Sequence, residues 1–67
     1  MEKMSTIKNE VMNELQGVEV LSEFISYIDK SFLIVARIDG CIIEYGYNGT
    51  DKIIITCNGK ILSEKMV

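Results

Sequence analysis

Residues 32–65 read FLIVARIDGCIIEYGYNGTDKIIITCNGKILSEK, and most of the predicted fold follows from this segment. Three dipeptides interrupt it at intervals of nine and ten residues: Asp39-Gly40, Asn48-Gly49 and Asn58-Gly59. Each suits a two-residue type I′ turn, because both central residues of that turn need a positive φ. β-Branched and aromatic runs lie between the turns. The pattern therefore predicts a four-stranded antiparallel meander in the order 1-2-3-4, with strands at residues 32–38, 41–47, 50–57 and 60–65.

Turns of two residues also set the register, since successive side chains of a strand point to opposite faces. One predicted face carries Phe32, Ile34, Ala36, Ile38, Cys41, Ile43, Tyr45, Tyr47, Ile54 and Ile61, and the other carries Leu33, Val35, Ile42, Ile53, Ile55, Cys57 and Leu62. Both faces are substantially apolar, so we expect something to cover each of them. Cys41 and Cys57 fall on opposite faces, which excludes a disulfide between them unless a bulge intervenes. The alternative to the Asn48-Gly49 turn is a longer loop over residues 47–51.

Residues 18–29, ahead of the meander, show helical periodicity. The apolar residues fall in one arc of a helical wheel, which consists of Val18, Val20, Leu21, Phe24, Ile25 and Ile28. A strand is the rival interpretation, because Val18-Glu19-Val20 alternates and the segment is rich in Ile, Phe and Tyr. Alternation fails at Val20-Leu21 and again at Phe24-Ile25, so a helix is favoured.

Residues 5–16 form another amphipathic stretch, with a stripe of Met4, Ile7, Val11 and Leu15. Ser5 can cap its start, and Gly17 suits the position just past its end. One long helix over residues 5–29 is the alternative, but the two apolar stripes are offset on the wheel, which favours a break or kink at Gly17. The sequence thus predicts one α+β domain over residues 1–67. Two N-terminal helices, or one kinked helix, occupy residues 4–30, and the four-stranded antiparallel meander occupies residues 31–66.

Composition narrows the classes of function. The chain has 67 residues, a net charge of −3, no His, and two Cys that are not in a Cys-x-x-Cys spacing. Without His the usual general base and the commonest metal ligand are missing, so we expect no catalytic residue, no metal, no cofactor and no enzyme activity. The acidic balance disfavours direct nucleic-acid binding. No apolar run reaches the ~20 residues that cross a membrane, and the N-terminus lacks a signal-peptide core, so we expect a cytoplasmic protein.

The first predicted strand has an apolar segment at the edge of the meander. It consists of Phe32, Leu33, Ile34, Val35 and Ala36. Natural edge strands are usually blunted by charge, proline or a bulge, and an apolar edge invites a second chain to pair with it. We therefore predict self-association through this strand into a homodimer with a continuous eight-stranded sheet. The alternative is that the N-terminal helix or its connecting loop covers the edge.

The function favoured by these features is that of a small acidic protein–protein interaction module. It would regulate or inhibit a target by binding a basic surface, such as the groove of a nucleic-acid-handling enzyme, and its size fits a phage or mobile-element origin. The predicted binding residues are Glu19, Glu23 and Tyr27 on the polar face of the second helix. One alternative is a structural oligomerisation domain or accessory subunit that uses the apolar edge strand and sheet face. A weaker one is a small-ligand binder with a pocket between sheet and helices.

Overall fold

The computed structural model describes residues 3–67, which form one helix and five strands. Helix α1 spans Lys3–Glu14, and the strands are β1 Glu19–Ser26, β2 Ser31–Ile38, β3 Cys41–Tyr47, β4 Lys52–Cys57 and β5 Lys60–Met66. The strands pair in chain order, each antiparallel to the next, so the sheet is a meander. Helix α1 packs on one face of this sheet. The described chain has no helix with the length and apolar character to span a membrane.

The core lies between α1 and the sheet. The helix contributes Met4, Ile7, Val11 and Leu15, each at most 4% exposed. Their spacing of three or four residues puts them on one side of the helix, as the sequence predicts. They pack against inward-facing side chains of the three central strands: Phe32, Ile34, Ala36, Tyr47 and Ile53. The fold is therefore two layers thick, and it has a single hydrophobic core.

The predicted second helix is wrong, as is the single kinked helix over residues 5–29, because residues 19–26 form strand β1. The helical part ends at Glu14 rather than at residue 30, and Gly17 adopts a φ of 80° where the chain turns toward the sheet. β1 pairs with β2 along its length, with Leu21 as an extra residue between Val20 and Ser22. This bulge interrupts the alternation of apolar residues, and the interrupted strand imitates a helical period.

The sheet consequently has five strands rather than four, and its first edge is β1. Strand β2, which contains residues 32–36, is hydrogen-bonded to β1 on one side and to β3 on the other. The prediction that these residues form an unpaired edge is therefore wrong. A homodimer that joins two sheets through this strand is excluded, because its backbone donors and acceptors already have partners.

Two of the three predicted turns are confirmed. Asp39-Gly40 connects Ile38 directly to Cys41, and Asn58-Gly59 connects Cys57 to Lys60. All four turn residues have positive φ, between 49° and 86°. Such angles are what a type I′ turn requires, and Asn, Asp and Gly reach them at the lowest cost.

The turn between β3 and β4 is the longer loop. Tyr47 pairs with Ile53 rather than with Thr50, so residues 48–51 form the connection. The side-chain oxygen of Asn48 accepts hydrogen bonds from the backbone N–H groups of Thr50, Asp51 and Lys52, at 2.9, 3.0 and 3.1 Å. An asparagine side chain that accepts several backbone N–H groups stabilises a wider loop than a two-residue turn.

This longer loop reverses the predicted faces of β4. The register shifts by an odd number of residues, and an odd shift moves every side chain of a strand to the other face. Ile53, Ile55 and Cys57 thus share the helix-covered face with Tyr47, Tyr45 and Ile43, their pairing partners on β3. Cys41 lies on that same face, so the prediction that Cys41 and Cys57 point to opposite sides is wrong.

Candidate interaction surface

The face of the sheet opposite α1 is the candidate functional surface, which we call the uncovered face. Its apolar side chains come from all five strands: Phe24, Leu33, Val35, Ile42, Ile54, Ile61 and Met66. Within residues 3–67 the only element outside the sheet is α1, which packs on the other face. No described part of the chain therefore shields these side chains from water.

Exposure differs between the centre and the margins of the uncovered face. Leu33, Val35, Ile42 and Ile54 are half-buried by their neighbours in the sheet. Phe24 and Ile61 are each 59% exposed, and Met66 is 64% exposed. Single exposed apolar residues are common on protein surfaces, but a contiguous apolar patch marks a binding surface. This patch runs across the whole width of the sheet.

Within residues 3–67, four of the five charged residues on the uncovered face form ion pairs, and the fifth, Glu44 at the middle of β3, does not. Arg37 binds the Glu19 carboxylate at 3.2 Å between β2 and β1, and Lys52 binds Glu64 at 2.9 Å between β4 and β5. The hydrogen bond from Lys52 to Glu64, together with the negative charge of that carboxylate, raises the pKa of Lys52. Two ion pairs thus accompany the apolar patch, at its β1–β2 and β4–β5 sides, and Glu44 adds one negative charge between them.

The predicted acidic site is not assembled in the structure. Glu19 lies on the uncovered face beside Arg37, whereas Glu23 lies on the helix-covered face and forms a 2.9 Å ion pair with Lys8 of α1. Tyr27 lies in the turn after β1 and is 68% exposed. A helix would have placed the three side chains on one polar face. In a strand, Glu19 and Glu23 are separated by the bulge at Leu21, which puts them on opposite faces.

The five residues of the predicted self-association strand divide between the two faces of β2. Phe32, Ile34 and Ala36 are at most 4% exposed beneath α1. Leu33 and Val35 belong to the uncovered face, where they are half-buried. The continuous apolar run therefore reflects a central strand that has apolar neighbours on both sides of the sheet.

The contributions of β1 and β5 to this surface do not follow from the sequence pattern. The helical interpretation places Phe24 in the apolar arc of a helix, and the predicted register places Ile61 on the same face as Phe32. The signal that could have found the surface was the apolar character of both faces of the meander. One short helix cannot cover two faces of a sheet.

Cavities offer little space for a small ligand. A crevice of about 30 Å³ lies between α1 and the sheet and is lined by Glu10, Val11, Glu14, Tyr45, Ile53, Ile55 and Lys65. That volume holds about one or two water molecules. Burial and the nearby negative charge of Glu14 raise the pKa of Tyr45 at this crevice. A wider hollow of about 240 Å³ is open to solvent at the turn end of the β1–β2 hairpin, where side chains of both faces line it.

Comparison of the chain with models of protein families, with curated proteins and with solved structures finds no match. Within residues 3–67 no group of three or more side chains of the metal-binding types is close enough to hold an ion. The surface itself is the feature from which a function can be inferred.

Proposed function

We propose that this chain is a small protein-interaction module that forms a homodimer through its uncovered face. The single observation that carries the proposal is the apolar patch extending across all five strands on the side opposite α1. Two copies would pack their sheets face to face, with a helix on the outside of each. Each sheet would then be buried on both sides, which accounts for strands that are apolar on both faces.

The size of the uncovered face is adequate for such a contact. Five strands spaced ~4.8 Å apart, with about six residues of ~3.3 Å each, cover roughly 500 Å². Two such faces bury about 1,000 Å² in total, which is the lower bound for a specific interface. We therefore expect a dimer that dissociates on dilution rather than a permanent one.

The charge distribution favours a second copy over a basic partner. Arg37 and Lys52 already neutralise Glu19 and Glu64 on the uncovered face, so a basic surface would have to displace them. A two-fold axis brings identical patches together, which places apolar side chains against apolar side chains. The two ion pairs are compatible with that arrangement, whereas the carboxylate of Glu44 has to stay in contact with water or a cation in the dimer.

Molar mass in solution tests this proposal. Light scattering coupled to size exclusion, over a dilution series at low and high salt, should give twice the monomer mass of 7.6 kDa at high concentration and the monomer mass at low concentration. Contact through apolar surface should leave the midpoint of dissociation nearly independent of salt. A folded monomer at every concentration would refute the homodimer.

A matched pair of variants locates the interface. Ile61→Asp places a negative charge on the uncovered face near Glu44 and Glu64 and should abolish the dimer, because like charges cannot be buried together there. Ile28→Asp makes the same change at a turn residue that is 95% exposed and outside the face, so it should leave the dimer intact. Circular dichroism should show both variants folded. Equal effects of the two substitutions would exclude the uncovered face as the interface.

Binding of a basic protein surface is a second candidate function, supported by the net charge of −3. Glu10 and Glu14 are exposed and lie one helical turn apart on the flank of α1 beside its crevice with the sheet, on the side of the sheet opposite the uncovered face. In a homodimer this side of each helix stays free to regulate or inhibit a target. Complexes formed through these carboxylates would weaken steeply as salt increases, and the double variant Glu10→Lys/Glu14→Lys would lose them while remaining a dimer.

The cytoplasm is the compartment we propose for this module. A cytoplasmic location predicts that Cys41 and Cys57 are free thiols in the cell, since that compartment is reducing. Measurement of the thiol state in a freshly prepared lysate, with alkylation before cell breakage, tests this location.

A further inference from the structure

Cys41 and Cys57 lie on adjacent strands at the same end of the sheet. Cys41 is the first residue of β3, and Cys57 is the last residue of β4. Cys57 pairs with Ile43, so Cys41 is its diagonal neighbour, two residues along β3 on the same face. Cys41 is farther from the β3–β4 loop than Ile43, the residue that pairs with Cys57. The right-handed twist of the strands shortens the diagonal distance between two residues placed in this way.

Asn58 holds the two strands together between the cysteines. Its backbone N–H donates to the carbonyl oxygen of Ile42 at 2.9 Å, and its side-chain oxygen accepts from the backbone N–H of Ile42 at 3.0 Å. Ile42 follows Cys41 and Asn58 follows Cys57, so these two bonds fix the register beside both thiols. The cysteines are therefore held near each other by the backbone.

The nearness of the two thiols also affects the acidity of Cys57. Hydrogen bonding with the Cys41 thiol, followed by burial, raises the pKa of Cys57. Both residues are partly exposed, so a small reagent can reach them. Each cysteine lies beside a two-residue turn, where the ends of the strands can adjust by small backbone movements.

We propose that Cys41 and Cys57 form a reversible intrachain disulfide with a low-molecular-weight disulfide as the oxidant. The thiolate of one cysteine attacks a sulfur of the oxidant, forms a mixed disulfide and releases one small thiolate. The thiolate of the second cysteine then attacks the protein sulfur of that mixed disulfide and releases the other small thiolate. Two protein thiols are oxidised and one small disulfide is reduced; the two protons lost by the protein thiols pass through solvent to the two small thiolates, which become thiols.

The bond would join β3 to β4 at the ends of these strands that are farthest from their connecting loop. It would close a loop of residues 41–57, so the chain should unfold at a higher temperature when oxidised. The thiols lie on the helix-covered side of the sheet, so the disulfide does not depend on the proposed homodimer. Failure of either proposal would leave the other standing.

Incubation of the intact chain with oxidised glutathione tests the disulfide. Mass spectrometry should show a loss of two hydrogen atoms, both thiols should become unreactive to a thiol reagent, and a non-reducing denaturing gel should show a single chain. Excess reduced glutathione should restore both thiols. Chains that carry glutathionyl groups on both cysteines, or chains linked to one another, would overturn the proposal.

Variants supply the matched control. Cys41→Ser should accumulate one glutathionyl group on Cys57, because no second thiol is available to displace it. The double variant Cys41→Ser/Ile42→Cys keeps two thiols at nearly the same sequence separation but moves one to the uncovered face. It should form mixed disulfides and no intrachain bond while its circular dichroism remains that of the parent chain. Equally rapid formation of an intrachain bond in this variant would show that chain flexibility, rather than register, joins the thiols.

Discussion

The α-carbon of Gly49 faces the backbone carbonyl of Asp29, so the β3–β4 loop rests against the turn between β1 and β2. A Cβ atom at position 49 would collide with that carbonyl oxygen. Gly49 also has a φ of 92°, where residues with a side chain are strained. Because of these two constraints, the point where the loops of the two hairpins meet requires glycine at position 49.

Gly49→Ala should therefore destabilise the fold by about 2–3 kcal/mol, since backbone strain and displacement of the neighbouring turn both contribute. Urea unfolding followed by circular dichroism measures the change. Gly40→Ala is the control: its φ is 80°, but nothing lies within 4 Å of the added atom. Gly40→Ala should reduce the free energy of unfolding only through backbone strain, by about 1–2 kcal/mol. Equal losses in the two variants would show that the contact with Asp29 is unimportant.

Ile34 lies at the centre of the core and is fully buried. Ile34→Val should reduce the free energy of unfolding by about 1 kcal/mol, because it removes a methyl group and leaves a cavity. Ile54→Val removes the same group on the uncovered face, where the side chain is only half-buried. At a concentration where the chain is monomeric, Ile54→Val should reduce the free energy of unfolding by less than half as much as Ile34→Val does. The reverse order would contradict the assignment of the two faces.

Asp51 should make the fold sensitive to acid. Hydrogen bonds from the side chains of Asn48 and Thr50, at 3.1 and 3.3 Å, together with the charges of Lys52 and Lys3, lower its pKa below 3.8. A lowered pKa in the folded state contributes stability above pH 3.8, and that stability is lost as pH falls through the lowered value. Urea unfolding should give the parent chain a larger free energy of unfolding than Asp51→Asn near neutral pH, and the difference should be smaller at about pH 2. A constant difference would contradict this linkage.

Tyr45 should contribute to alkaline destabilisation. Burial and the charge of Glu14 raise its pKa above 10.0, so the folded chain binds the phenolic proton more tightly than the unfolded chain. The stability that this provides is complete below pH 10.0 and is lost as pH rises through the raised pKa. Tyr45→Phe should therefore lose less stability than the parent between about pH 8 and pH 11. Tyr27→Phe, at an exposed turn residue, is the control and should behave like the parent chain.

Local chemistry accounts for the parts of the fold that were predicted correctly. Asp39-Gly40 and Asn58-Gly59 form two-residue turns because their backbone preferences match the angles required there. The apolar stripe of Met4, Ile7, Val11 and Leu15 predicts α1, since its regular spacing of three or four residues places all four side chains on one side of a helix. These features depend on residues that are close together in the sequence, so a single chain read locally is enough to find them.

The candidate surface depends on two features that local sequence patterns do not determine. Residues 19–26 have a helical period only because a bulge at Leu21 interrupts a strand, and pairing with β2 decides in favour of the strand. Asn48-Gly49 could serve in a two-residue turn or in a longer loop, and the loop that packs against Asp29 changes the face of every residue in β4.

The amphipathic first helix, the meander of hairpins and the two tight turns follow from the amino-acid sequence alone, because each depends on neighbouring residues. Three features emerge only when distant segments pair: a fifth strand replaces a second helix, β2 is internal, and Cys41 and Cys57 share a face. Hydrogen-bond pairing between distant segments sets the register, and a register shift of one residue costs little locally but exchanges the two faces of a strand.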